Sequence, residues 1–208
     1  MIQQTLQASK LTLFEVEKKF NLQQVENTQS FYGWQEPLPE ISAYEKQRLD
    51  AVRSHYRYLS KQPMLEIMVK MIVLSPLLEL AGFYESPFFT KAEESIAISS
   101  EDGGDIIRGQ IDLLVLQNQL WIAAIESKQI QYDVMVGLPQ ILTYMMANPN
   151  SESVVYGLIS NGGRFVFVKL LRENPRQYAL SQTYSLFDSG NDLYDVLKIL
   201  KRLGQLLN

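Results

Sequence analysis

Apolar positions change period along the chain, and the changes mark out its elements. Between Ser42 and Gly82 they follow helical spacing, from about Glu93 to Ile130 they form short β-rich blocks, and after Pro139 the two patterns alternate. Ser42 followed by Glu45 is a capping-box signature, and the unbroken stretch AYEKQRLDAVRSHYRYLS predicts a helix from Ala43 to Ser60. Arg53, Arg57 and Lys61 recur every fourth residue and share one face of its line. Pro63 opens a second helix, PMLEIMVKMIVLSPLLELAGF, whose apolar residues occupy nearly every side, so it belongs in the core. Gly82 ends it, and Ser75-Pro76 predicts a kink. Glu66 and Lys70, four apart on this helix, fit a surface ion pair.

Three strand-like runs come next, EESIAISS, IRGQIDLLVLQ and LWIAAIESKQI, joined by short polar turns that imply consecutive antiparallel pairing. If the second and third fold about Gln117 to Gln119, Asp112 falls opposite about Ala124. A helix, PQILTYMMAN, leads to SVVYGLIS and RFVFVKLL, joined by the hairpin signal Asn161-Gly162-Gly163, and an amphipathic helix, NDLYDVLKILKRLGQLL, ends the sequence. This order predicts a mixed sheet with helices on its faces, α/β or α+β. Residues 1–42 read differently: a short amphipathic helix or strand pair, then a stretch punctuated by Gly33, Pro37 and Pro39. They are expected to be an N-terminal arm on a domain spanning residues 43–208.

The 208 residues suit one domain, and 46% hydrophobic with 20% charged residues is the balance of a globular chain. A net charge of −4 supplies no global attraction for a polyanion, although the segment from Arg164 onward holds seven basic against four acidic residues. The absence of cysteine removes disulfides, thiol nucleophiles and cysteine-zinc sites. The single histidine, His55, excludes a multi-histidine metal site, and its polar, basic helix suits a surface or phosphate-contacting residue. No P-loop is present, and neither glycine pair opens a helix as a dinucleotide fingerprint requires. No apolar run reaches the roughly 18 residues that span a bilayer, and the N-terminus lacks the layout of a signal peptide, so the expected location is cytoplasmic, with no membrane partner.

What remains is acidic. Asp112 interrupts an apolar strand, and Glu126 and Lys128 lie near the end of the next, two apart and therefore on one face. Two carboxylates within one pairing step offer an oxygen-only site for Mg²⁺ or Mn²⁺, with Lys128 beside it to orient water or stabilise phosphate charge. An exposed strand end with a Glu126–Lys128 salt bridge is the structural alternative. On the following helix, Gln140 and Tyr144 are four apart and share a face.

A strand Asp, a Glu-x-Lys on the next strand and a Gln-x-x-x-Tyr helix together resemble the PD-(D/E)xK nuclease superfamily, in its RecB-like branch. The constellation looks most like the N-terminal nuclease domain of type I restriction enzyme R subunits, over roughly Leu65 to Leu171. VVYGLISNGGRFVFVKL is similar to the late hairpin of that domain. The resemblance implies a restriction-endonuclease-like mixed sheet flanked by helices, here with a helical N-terminal extension. It implies Asp112 and Glu126 as metal ligands, Glu66 as a further acid near the metal, Lys128 as the catalytic lysine, and Gln140 and Tyr144 as contacts that hold DNA or the active-site strand. Ile111 stands where the family name has proline.

The functional expectation is a Mg²⁺- or Mn²⁺-dependent nuclease that hydrolyses phosphodiester bonds in DNA, of restriction or repair type. Arg53, Arg57, Lys61, Arg164 and Lys169 are candidate phosphate contacts, with solvated surface charge as their plain alternative. A restriction-modification or helicase subunit is the implied protein partner. The alternative is a catalytically silent nuclease fold acting as a DNA-binding or protein-interaction subunit. Phe31, Tyr32 and Trp34 in the arm would either join a homodimer or cover the edge of the same core.

Overall fold

The computed structural model describes residues 4–26, 37–99, 104–117, 120–127, 132–149 and 154–206, with backbone alone for 120–127. The long polar helix, α2 (Ala43–Leu59), starts as its sequence demands: Ser42 Oγ accepts from the Glu45 amide and Glu45 Oε2 accepts from the Ser42 amide. The two bonds satisfy two otherwise orphan amides. The apolar helix starts at Glu66, three residues after Pro63, and runs as α3 (Glu66–Val69), a π turn (Lys70–Leu74) and α4 (Ser75–Leu80). The π turn ends two residues before Pro76, whose ring cannot fit behind a regular α turn. Gly82, with φ of 82°, ends the run in a left-handed conformation.

Nine strands form one mixed sheet among the described residues. β1 (Thr5–Gln7), β4 (Ile106–Gln117), β5 (Leu120–Ser127), β6 (Val154–Ser160), β7 (Arg164–Leu171), β8 (Arg176–Leu180) and β2 (Leu22–Gln24) lie in that order, while β3 (Phe88–Ser99) pairs with β4 and β9 (Tyr184–Ser185) with β7. β3, β4 and β5 pair antiparallel in succession and β6–β7 is the expected hairpin. β5 and β6 are parallel, and the crossover this requires contains α5 (Leu138–Met146). This is the helix-flanked mixed α/β sheet expected of a restriction-endonuclease-like fold.

Two cores lie on opposite faces. On one, α2, α3, α4 and α6 (Leu193–Gln205) cover Val115, Leu158, Phe165 and Phe167. On the other, α5 and α1 (Leu13–Phe20) cover Ile107, Ile111, Leu114, Val155 and Val168. Val196, Leu197, Ile199 and Leu200 of α6 are fully buried, each contributing about 1.5–3 kcal/mol of hydrophobic stabilisation.

Residues 5–24, expected as part of an appended arm, are built into this sheet. β1 pairs parallel with β4, β2 pairs parallel with β8, and Val16 and Phe20 of α1 are buried against the α5 side. Thr12 and Glu15 form a second capping box at the start of α1, and Lys19 pairs with Asp105 at 3.0 Å. Phe31, Tyr32 and Trp34 lie outside the described residues. No described helix is long and apolar enough to cross a membrane.

Candidate functional site

β4 supplies the centre of the site through a change of phase. Ile107 and Ile111 belong to the core on the α5 side, and so do Leu114 and Leu116, yet Leu114 stands three positions after Ile111, an odd step. A regular strand alternates with period two, so the alternation slips by one residue between them, at Asp112. The partner strand slips too: Phe88 packs on the α3–α4 side, whereas Ile96 and Ile98, at even spacing from it, pack on the α5 side. The pivot is Glu93, flanked by the pairs Ala92↔Leu113 and Glu94↔Ile111 and held at φ of 56°. That left-handed value is uncommon for a side chain of this size, and such strain gathers at functional positions. Gln110 Nε2 donates to the Glu93 carbonyl at 3.0 Å and ties the two strands at the slip.

A cleft of about 850 Å³ opens at this place. Its lining includes Glu66, Arg108, Asp112, Gln140 and Tyr144. One wall is thus α3, one is β4 and one is α5. Tyr144 is buried, and its hydroxyl donates to the Gln110 carbonyl at 2.7 Å while accepting from Gln140 Nε2 at 2.5 Å. The Gln-x-x-x-Tyr pair therefore grips the backbone of β4 two residues before Asp112. Gly109 makes the grip fit: a Cβ there would stand 2.7 Å from Tyr144 Cε1 and 3.0 Å from Ala8 Cβ. Asp112 Oδ1 accepts from Lys70 Nζ at 2.7 Å, with both side chains about one-fifth exposed. The ion pair expected between Glu66 and Lys70 gives way to this one across the core.

The β4–β5 register differs from the expected one. Leu114, not Asp112, faces Ala124, and Leu113 faces Ile125, because the strands turn one residue later and the register shifts between Val115 and Leu116. Glu126 follows Ile125, which pairs with Leu113 next to Asp112, and its backbone pairs with Ile159 of β6. The side chain of Glu126 and the whole of Lys128 lie outside the described residues. Among the described residues no group of three His, Cys, Asp or Glu is arranged to hold a metal. The described donors are the carboxylates of Asp112 and Glu66 in the cleft, hard oxygens of the kind Mg²⁺ and Mn²⁺ prefer.

The basic candidates are placed elsewhere. Arg53 donates to the carbonyls of Leu186 and Asp188, and Arg57 to that of Phe187, so both hold the loop after β9. Lys61 sits over the Tyr58 ring at 5.7 Å from its centroid. Lys169 is buried, which pulls its ammonium below the ordinary lysine value. Neither these four nor Arg164 lines the cleft; Arg108 does. Sequence reasoning passed over Arg108 and read Lys70 only as a surface partner of Glu66. The signal for Arg108 was legible, since Arg108, Gln110 and Asp112 alternate with Ile107, Gly109 and Ile111. Lys70 had no such signal, because its partner is 42 residues away.

No family model and no curated protein matches the chain. Among solved structures, it is similar to a fragment described as an HsdR subunit of a type I restriction enzyme from Vibrio vulnificus, at 17% identity and a TM-score of 0.42. The likeness covers 69% of this chain and 26% of that one, so it spans about a quarter of the other protein's length.

Proposed function

We propose that this protein is a divalent-metal-dependent nuclease that hydrolyses phosphodiester bonds in DNA, of the PD-(D/E)xK type. The observation that carries the reading is the gathering of Glu66, Asp112, Gln140 and Tyr144, from three separate elements, around one cleft at the slip in β4. In this reading Asp112, Glu126 and Glu66 hold Mg²⁺ or Mn²⁺. Such an ion, when bound, activates water as a nucleophile at neutral pH and polarises the phosphoryl oxygen. Lys128 stabilises the charge that builds on the phosphate. Tyr144 and Gln140 fix the height of Asp112 through the Gln110 carbonyl, and Arg108 offers the cleft a phosphate contact. The partner is DNA, with a restriction-modification or helicase subunit as the protein partner.

The test is DNA cleavage by the intact chain on labelled linear, nicked and single-stranded substrates with Mg²⁺ or Mn²⁺. Cleavage that stops with EDTA and in Lys128→Ala is the expected result. A well-folded chain that cleaves none of them with either metal contradicts the reading. The Lys70–Asp112 ion pair supports a second reading, a nuclease fold kept as a DNA-binding or protein-interaction subunit, because a lysine already neutralises the central carboxylate. Retained DNA binding without any metal response would favour that reading.

A further inference from the structure

Lys70 is the charged group at the site that the proposed reaction leaves without a task. It begins the π turn of the core helix, one turn after Glu66, and π turns inside helices often mark functional positions. Its ammonium contacts Asp112 Oδ1 at 2.7 Å. Both residues of this contact also line a second pocket of about 360 Å³, the rear cavity, together with Met71, Ser75, Tyr84 and Glu93 among others. Asp112 is thus shared by two pockets: the cleft, which Glu66 also lines, and the second space, which Lys70 also lines. Glu93, the left-handed residue of the slip, is exposed and also lines that second pocket.

Two cations cannot share Asp112 on equal terms. A divalent ion bound at about 2.0–2.1 Å from a carboxylate oxygen would meet strong repulsion from an ammonium on the same group. The lysine stem is long and flexible, and the second pocket beside it is lined by Glu93 as well. We propose that Lys70 is the resting counter-ion of Asp112, and that an arriving divalent metal displaces its ammonium into the rear cavity, where Glu93 receives it. Lys70 is a positioning residue in this account: it keeps the carboxylate in place and sets the metal concentration at which the site loads. The inference rests on the metal reading of the cleft given above.

The test is Mn²⁺ binding by the intact chain, read from the electron paramagnetic resonance of free Mn²⁺, without DNA and without turnover. Lys70→Met keeps most of the stem and removes the competing charge, so it should bind Mn²⁺ about tenfold more tightly than the wild type, a typical size for coupling between two ligands. Lys70→Arg should bind like the wild type. Glu93→Gln should bind several-fold more weakly, because the displaced ammonium loses its second partner. An unchanged or weaker affinity in Lys70→Met, with Mn²⁺ still bound by the wild type and lost in Asp112→Ala, overturns the inference and leaves the metal reading intact. Absence of Mn²⁺ binding in both the wild type and Lys70→Met overturns the metal reading and this inference with it. Should Lys70→Met fail to fold, Glu93→Gln decides: weaker binding supports the exchange and unchanged binding overturns it.

Discussion

Two buried tyrosines, one on each face of the sheet, are seated in the same way and wired differently. Tyr144 on α5 packs against Gly109, and Tyr56 on α2 packs against Gly162 and Gly163, where an added Cβ would stand 2.6–2.8 Å from its ring or hydroxyl. Both are fully buried. The Tyr144 hydroxyl is satisfied by Gln110 and Gln140. The Tyr56 hydroxyl has no hydrogen-bond partner among the described residues. Close packing onto glycine is thus a device the fold uses generally. What sets Tyr144 apart is that its polar end is spent on the strand carrying Asp112, while that of Tyr56 is only tolerated.

The largest effect that would break this comparison comes from the glycines. Gly109→Ala drives a methyl into the ring of a tyrosine that is 1% exposed, an overpacking expected to cost about 1–3 kcal/mol. It should also shift β4 and reduce cleavage. Gly163→Ala meets the Phe187 ring, which is 51% exposed and able to swing away, as well as the Tyr56 hydroxyl. It should cost less and leave cleavage unchanged. Urea unfolding and a cleavage assay on the two variants check both statements, and equal losses of activity would erase the distinction.

Removing the hydroxyls is the next step down. Tyr144→Phe strips the Gln110 carbonyl and Gln140 of a partner and should cost about 1–2 kcal/mol, with a fall in cleavage rate. Tyr56→Phe removes an unpaired polar atom and should be neutral or slightly stabilising in the same denaturant titration. The smallest effect is in alkali. Burial pushes the Tyr56 phenol up to about 12 from 10.0, with Arg164 pulling weakly the other way. The folded state therefore holds this proton more tightly than the unfolded chain. The stability that results is fully present below pH 10 and is lost as the pH rises through about 12. Thermal melts between these limits should fall less steeply for Tyr56→Phe than for the wild type, though not become flat, since Tyr156, Tyr178 and Tyr184 are raised by burial as well.

Much of this arrangement was legible in the sequence, and the parts that were not share a cause. The Ser42–Glu45 cap, the α5 pair Gln140 and Tyr144, and the Gly162-Gly163 hairpin are local signals, and local hydrogen bonds realise them. β1 was not legible as a strand, and β2 only as part of a stretch open to helix or strand pair, because each is three residues long and pairs with a strand more than 100 residues away. Counting loop residues also missed the hairpin register by two, because it cannot see the shift at Val115/Leu116. Lys70 looked like the partner of Glu66 because residues four apart are neighbours on a helix face. The fold offers it Asp112 instead, and that pairing depends on where β4 slips.

The central claim is that the cleft at the slip is a metal-dependent hydrolytic site with Asp112 as its pivot. The most direct test is the single-turnover cleavage rate of labelled DNA at saturating Mn²⁺ for the wild type beside Asp112→Asn, which keeps the size of the side chain and removes its charge. The account predicts a wild-type rate lowered in the variant by at least about a hundredfold, the scale expected when a primary electrostatic contact in an active site is lost. Equal rates in the two proteins would contradict it.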